Sequence, residues 1–120
     1  MLTVKENLIE ILETYAPEHV FLQGSLNPDI PYPETLITFF ITSSDFESFY
    51  NNLSNRVDWS ISVMIYSVDP DEIDRIAKAV IKDCKAAGFI PQGAGFDLPS
   101  DVESHTGWAL DFVYPEYITD

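Results

Sequence analysis

Val57-Asp58-Trp59-Ser60-Ile61-Ser62-Val63-Met64-Ile65-Tyr66 is the stretch on which the fold turns. Val57, Trp59, Ile61, Val63 and Ile65 alternate with Asp58, Ser60, Ser62, Met64 and Tyr66, the period-two pattern of a strand that lays one face on a core. Directly after it, Asp69-Pro70-Asp71-Glu72 has the form of a helix start: an Asp N-cap, Pro at the first helical position, and an acid three residues after the cap. The helix that follows places Ile73, Ile76, Ala77, Val80, Ile81 and Cys84 on one stripe, and Gly88 is the expected left-handed residue that ends it.

Working toward the N-terminus, Leu36 to Thr42 is rich in β-branched and aromatic residues and reads as another strand. Between the two strands, residues 43–55 are Ser-, Asn- and Asp-rich, with Phe46, Phe49 and Tyr50 interspersed; they read as a loop anchored by aromatic burial. Asn27 to Pro33 contains three prolines and reads as an irregular loop. His19 to Gln23, ended by Gly24, is a short strand. Thr3 to Ala16 carries Val4, Leu8, Ile11, Leu12 and Tyr15 at helical spacing, with Thr3 and Glu6 as a capping box and Pro17 as the stop. Toward the C-terminus, Phe89 and Ile90 begin a short strand before Gly93-Ala94-Gly95, and Gly107 to Tyr114 is the last strand, with Trp108, Leu110, Phe112 and Tyr114 on one face. The order α-β-β-β-α-β with short connections predicts an α+β fold: a mostly antiparallel sheet of about four strands with two helices packed on one face.

The bulk numbers frame this as one domain over residues 1–120, long enough to bury a core without staples. The apolar fraction is 46 %, which places the chain among globular rather than disordered sequences. The single cysteine, Cys84, allows no intramolecular disulfide. The first residues lack the apolar run of a signal peptide, and no stretch has the length of apolar residues that a membrane span needs, so a cytoplasmic setting is expected. Twenty acidic residues against six basic ones give −14 at pH 7. A surface of that sign repels phosphate backbones, so direct nucleic-acid affinity is not expected. The charge serves solubility, keeps the surface from adhering to passing DNA, or meets a basic partner.

Candidate chemistry is sparse. Asp97, Asp101, Glu103 and His105 form the densest polar cluster, a residue set that can hold a divalent cation or do acid–base work. They follow no known ligand spacing, and turn-forming side chains account for most of them. Gly93-Ala94-Gly95 follows a helix rather than preceding one and leads into Asp97, which opposes phosphate binding. Cys84 on the apolar stripe is expected to be a buried, inert thiol. His19 is read as a structural hydrogen-bonder, and neither Ser25 nor Ser100 sits in a nucleophile elbow. No catalytic, metal or cofactor residues are therefore assigned. Both faces of Leu36–Thr42 are partly apolar, more than two helices can cover, so part of that surface is expected to be free for a partner.

Several phrases carry a family resemblance. Phe21-Leu22-Gln23-Gly24-Ser25-Leu26 is followed by Tyr32-Pro33-Glu34-Thr35-Leu36-Ile37-Thr38-Phe39-Phe40, then by Trp59 to Ser67 with Asp69-Pro70, and later by Ala87-Gly88-Phe89-Ile90. Gly93-x-Gly95-x-Asp97-x-x-Ser100-Asp101 and His105-Thr106-Gly107 precede the terminal strand. Over residues 19–117 the order and spacing of these phrases resembles the tail-completion (tail-to-head joining, tail-terminator-like) proteins of long-tailed phages and prophages of Gram-positive bacteria. The resemblance implies a non-enzymatic virion protein of the tail or neck, assembled in the host cytoplasm. It implies a ring, a hexamer by analogy, that caps the tail tube, contacts the tail tube protein and the head connector protein, and surrounds the DNA path with a negative lumen.

On that reading loops 24–35 and 93–106 are the assembly surfaces, since loops are where a small sheet domain presents adaptable surface. The residues expected there are Gly24, Tyr32, Pro33, Gly93, Gly95, Asp97, Asp101 and His105. Two rival readings are an acidic binding module that mimics DNA, supported by charge alone, and a metal-dependent hydrolase built on the Asp97–His105 cluster.

Overall fold

The computed structural model describes residues 3–22, 33–48, 54–98 and 104–119. Along the chain lie helix α1 (Val4–Glu13), strands β1 (Val20–Leu22), β2 (Thr35–Ser48) and β3 (Ser54–Ser67), helix α2 (Pro70–Ala86), and strands β4 (Ile90–Pro91), β5 (Phe96–Leu98) and β6 (Thr106–Thr119). The α+β class is as the sequence predicts, but the sheet has six strands rather than about four, in the order β1-β2-β3-β6-β4 with β5 also on β6. It is mixed: β1 runs parallel to β2, and every other pair is antiparallel.

Both helices start on the expected caps. The Thr3 hydroxyl accepts from the Glu6 N–H at 3.1 Å, and the Asp69 carboxylate accepts from the Asp71 N–H at 3.0 Å, each satisfying an amide that the first turn leaves without a partner. α1 ends at Glu13, earlier than Ala16, because the chain tightens into a turn in which the amides of Tyr15 and Ala16 both reach the Leu12 carbonyl. α2 ends as expected. Gly88 has φ 99°, its amide bonds to the Lys85 carbonyl, and the Phe89 amide bonds to the Cys84 carbonyl at 2.9 Å, the pair of bonds that closes a helix through a left-handed glycine.

The alternation in β3 sets one face of the sheet. Ile61, Val63 and Ile65 join Ile37 and Phe39 of β2, Leu110 and Phe112 of β6, and the helix residues Val4, Leu8, Leu12, Ile73, Ile76, Val80 and Cys84 in a single core. Cross-strand register stacks them in rows, with Ile37 opposite Ile65, Phe39 opposite Val63 and then Leu110, and Ile41 opposite Ile61 and then Phe112. The α2 stripe is buried at Ile73, Ile76, Ala77, Val80 and Cys84, with Ile81 partly so. Tyr15, just past α1, donates its hydroxyl proton to the Asp83 carboxylate of α2 and ties the two helices together.

Residues 43–48 and 54–55, expected in a loop, are strand. Their polar composition reads as loop because β propensity is weak in isolation, whereas here residues of 43–48 pair with β3, and residues 54–55, in β3 itself, pair with β6. Phe49 and Tyr50 lie outside the described residues. One extra residue enters β2 between Ile41 and Ser43, a bulge that shifts the register by one. β6 likewise runs on past Tyr114 to Thr119, and carries Pro115 within it. β3 pairs with β6 over all fourteen positions, so β4 and β5 must occupy the other edge of β6.

Candidate functional site: an interrupted edge strand and a projecting arm

The segment from Ile90 to Leu98 behaves as one edge strand broken in its middle. Ile90 and Pro91 pair with Val113 and Phe112, and Phe96 to Leu98 pair with Ala109 to Gly107, with the register moved by two between the halves. Gly93-Ala94-Gly95 therefore forms a bulge on the sheet edge rather than a free loop. Gly95, at φ 104°, has the tightest surroundings. A Cβ there would lie 2.1 Å from Trp108 Nε1 and 2.7 Å from the Ala109 carbonyl oxygen. The bare glycine lets the indole close against the bulge, where Trp108 Nε1–H donates to the Ala94 carbonyl at 3.1 Å. Gly93, at φ 97°, has open space around it.

A groove of about 480 Å³ opens between α2 and this edge strand. Ile73, Ala77, Ile81 and Trp108 line it with apolar surface, and Asp74 and Asp97 stand on its two walls. Asp97 pairs with Trp108 across the ladder and is exposed. Lys78 also lines the groove and holds Asp74 at 3.0 Å.

His105 is engaged elsewhere. Its Nε2 lies 2.7 Å from the Pro33 carbonyl oxygen and its Nδ1 lies 2.9 Å from Ser104 Oγ. A carbonyl only accepts, so Nε2 carries a proton and donates it to Pro33. The imidazole, 7 % exposed, joins the start of β6 to the segment leading into β2. Pro33 and His105 were both expected at an assembly surface, and the structure brings them into direct contact as a buried brace. Gly93, Gly95 and Asp97 fall together on the interrupted edge strand. Gly24, Tyr32, Asp101 and Glu103 lie outside the described residues, as do Ser25 and Ser100. His19 is exposed, and its backbone does the bonding: its amide reaches Ala16 and its carbonyl accepts from Ile37. Burial pushes the Cys84 thiol up to about 12, with the Asp83 charge adding to it, so this sulfur stays protonated and inert.

The free apolar surface is not where the sequence places it. Leu36 and Thr38, on the sheet face away from the helices, are buried together with Met64 and Ala109. Exposed apolar side chains lie instead along the edges and ends: Leu22 of β1, Ile90 and Phe96 of the broken edge strand, Val68 after β3, and Tyr117 near the end of β6.

The third feature is the length of β2, β3 and β6. Fourteen residues span roughly 46 Å as strand, whereas α1 and α2 are about 15 and 25 Å long. Among the described side chains, the core shared with the helices ends at Trp59 and Tyr114. Val57, next along the same face, is only half-buried and does not belong to it. The three strands therefore continue as an arm, and the molecule measures 54 × 27 × 24 Å. Polar pairs hold the described part of the arm: Arg56 with Asp58 at 2.9 Å, and Trp59 Nε1–H donating to Glu116 at 3.3 Å. Its edges resist casual strand addition, since β2 carries the bulge and Pro115 offers no N–H.

The α2 and edge-strand signals missed by sequence reading are the groove and the arm. Trp108 and Ile81 were visible only as members of apolar stripes, and nothing in a stripe tells which of its members a neighbouring element leaves uncovered. In comparison with known proteins, no family model matches this sequence and no curated protein matches it significantly.

Proposed function

We propose that this protein is a structural component of a phage neck or tail, one that forms an oligomeric ring, caps the tail tube and joins it to the head connector. The observation that carries this reading is the three-stranded arm, whose fourteen-residue strands run past the helical layer. A lone domain gains little from extending β2, β3 and β6 beyond the length of its helices unless further burial offsets the cost of ordering that backbone. Packing against a neighbouring subunit would supply such burial. The resemblance in residues 19–117 to tail-completion proteins supports the same reading, and the charge of −14 suits a ring through which DNA must slide without adhering.

The test is electron microscopy of particles assembled without the protein. Tails of uncontrolled length beside unattached, DNA-filled heads are the expected result; normal, joined virions would overturn the role. The charge itself favours one second reading, an acidic module that occupies the DNA-binding face of a basic protein. Tight, steeply salt-dependent association of the monomer with such a protein, together with normal virions, would select it.

A further inference from the structure

We propose that the groove between α2 and the broken edge strand is a docking site for a segment of another protein whose apolar side chains are flanked by lysine or arginine. This inference does not depend on a place in a virion. It rests on what lines the groove.

The floor and helix wall are apolar: Ile73, Ala77 and Ile81 come from successive turns of α2, and Trp108 comes from β6. The indole's one polar atom is already satisfied by the Ala94 carbonyl, so expelling water from the groove leaves no donor without a partner there. At about 480 Å³ the space falls within the range of ordinary binding clefts. The strand wall is also open at its far side, since β5 pairs only with β6 among the described residues.

Charge selects the occupant. Asp74 on α2 and Asp97 on β5 face the groove from opposite walls, so a segment with cations on both sides of its apolar centre meets a carboxylate on each. Among the described residues Lys78 is the one cation lining the groove. Its pair with Asp74 is exposed and worth little, so an incoming lysine or arginine can take its place. A second copy of this chain is a poor source of such a segment. It has six basic residues in 120, and Arg56, Arg75 and Lys78 are already bound to acids of their own chain.

The experiment uses the full chain and three synthetic peptides: Lys-Lys-Leu-Phe-Leu-Lys-Lys, its glutamate-flanked counterpart, and a lysine-flanked serine control. Calorimetry gives affinity, and amide and indole proton spectra give location. The expected result is saturable, salt-weakened binding of the first peptide that moves the Trp108 indole resonance, with the other two weaker by at least about tenfold. The exposed double variant D74K/D97K keeps the native spectrum and loses at least about tenfold in affinity for the first peptide. Absence of saturable binding, equal binding of all three peptides, or shifts away from Trp108 would overturn the proposal. So would concentration-dependent dimerisation that the same double variant abolishes, because the occupant would then be a second copy.

Discussion

The two halves of the long sheet are built from the same three strands but held by different means. Where α1 and α2 cover it, the rows Ile37–Ile65, Phe39–Val63–Leu110 and Ile41–Ile61–Phe112 are sealed under Leu8, Leu12, Ile76 and Val80. Beyond Trp59 and Tyr114 the ladder continues, and among the described side chains an ion pair, a hydrogen bond and half-buried residues take over. Backbone pairing alone can extend a sheet. Only apolar burial on one face makes it a source of stability, because a ladder hydrogen bond largely replaces one to water while buried apolar area leaves water altogether.

The sharpest way to break this comparison is one truncation in each half. Phe112→Ala removes a ring that is 1 % exposed and packs edge-on to Phe89 at 6.4 Å, and is expected to cost about 3–5 kcal/mol in denaturant unfolding. Arg56→Ala in the arm is expected to cost less than about 1 kcal/mol, since its partner Asp58 is partly solvated. Equal losses would mean that the arm is as much a part of the folding core as the helix-backed half.

The edge strand supplies a second contrast within three residues. Gly95→Ala must both adopt φ 104° and place a methyl group inside the Trp108 indole, for an expected loss of about 2–4 kcal/mol. Gly93→Ala meets only the backbone cost of its φ of 97°, about 1 kcal/mol. The Trp108 fluorescence spectrum should shift in the first variant and stay unchanged in the second.

A further small effect concerns the link between the helices. The hydrogen bond to the Asp83 carboxylate, then burial and the Asp83 charge, raise the Tyr15 hydroxyl above its ordinary value of 10.0. The folded chain thus holds this proton more tightly than the unfolded one. The stabilisation is complete below pH 10 and is lost as the pH rises through the raised value. Tyr15→Phe is expected to cost about 1 kcal/mol at neutral pH, and the gap between variant and parent should close on moving above pH 10. A gap that stays constant with pH would show that the hydroxyl proton is not what stabilises the contact.

Much of the helix-backed half was legible from local chemistry. Thr3, Asp69-Pro70 and Gly88 mark helix ends because capping involves groups only a few residues apart, and the alternation from Val57 to Tyr66 marks a strand because one face is buried. The arm was illegible for the converse reason. Ser43, Ser44, Asp45 and Ser48 carry no apolar alternation, and their strand conformation depends on β3 lying alongside. The candidate site was half legible. Gly93, Gly95 and Asp97 stood out, but as parts of a loop, since the ladder that makes them an edge strand depends on β6 more than ten residues away. Pro33 and His105 stood out singly, and their contact across 72 positions of sequence could not be read from either one.

By itself the sequence determined the α+β class, both helices with their caps, the core-facing residues of β3 and β6, and the strong negative charge. These follow from short-range periodicity, capping and composition, which act within a few residues or sum over the chain. Tertiary structure alone decided that β1 runs parallel to β2, that residues 90–98 form one bulged edge, that Leu36 and Met64 are buried, and that an acid-walled apolar groove stays open beside Trp108. Each of these depends on which elements become neighbours, and that choice is made by the packing of whole faces rather than by any local run of residues.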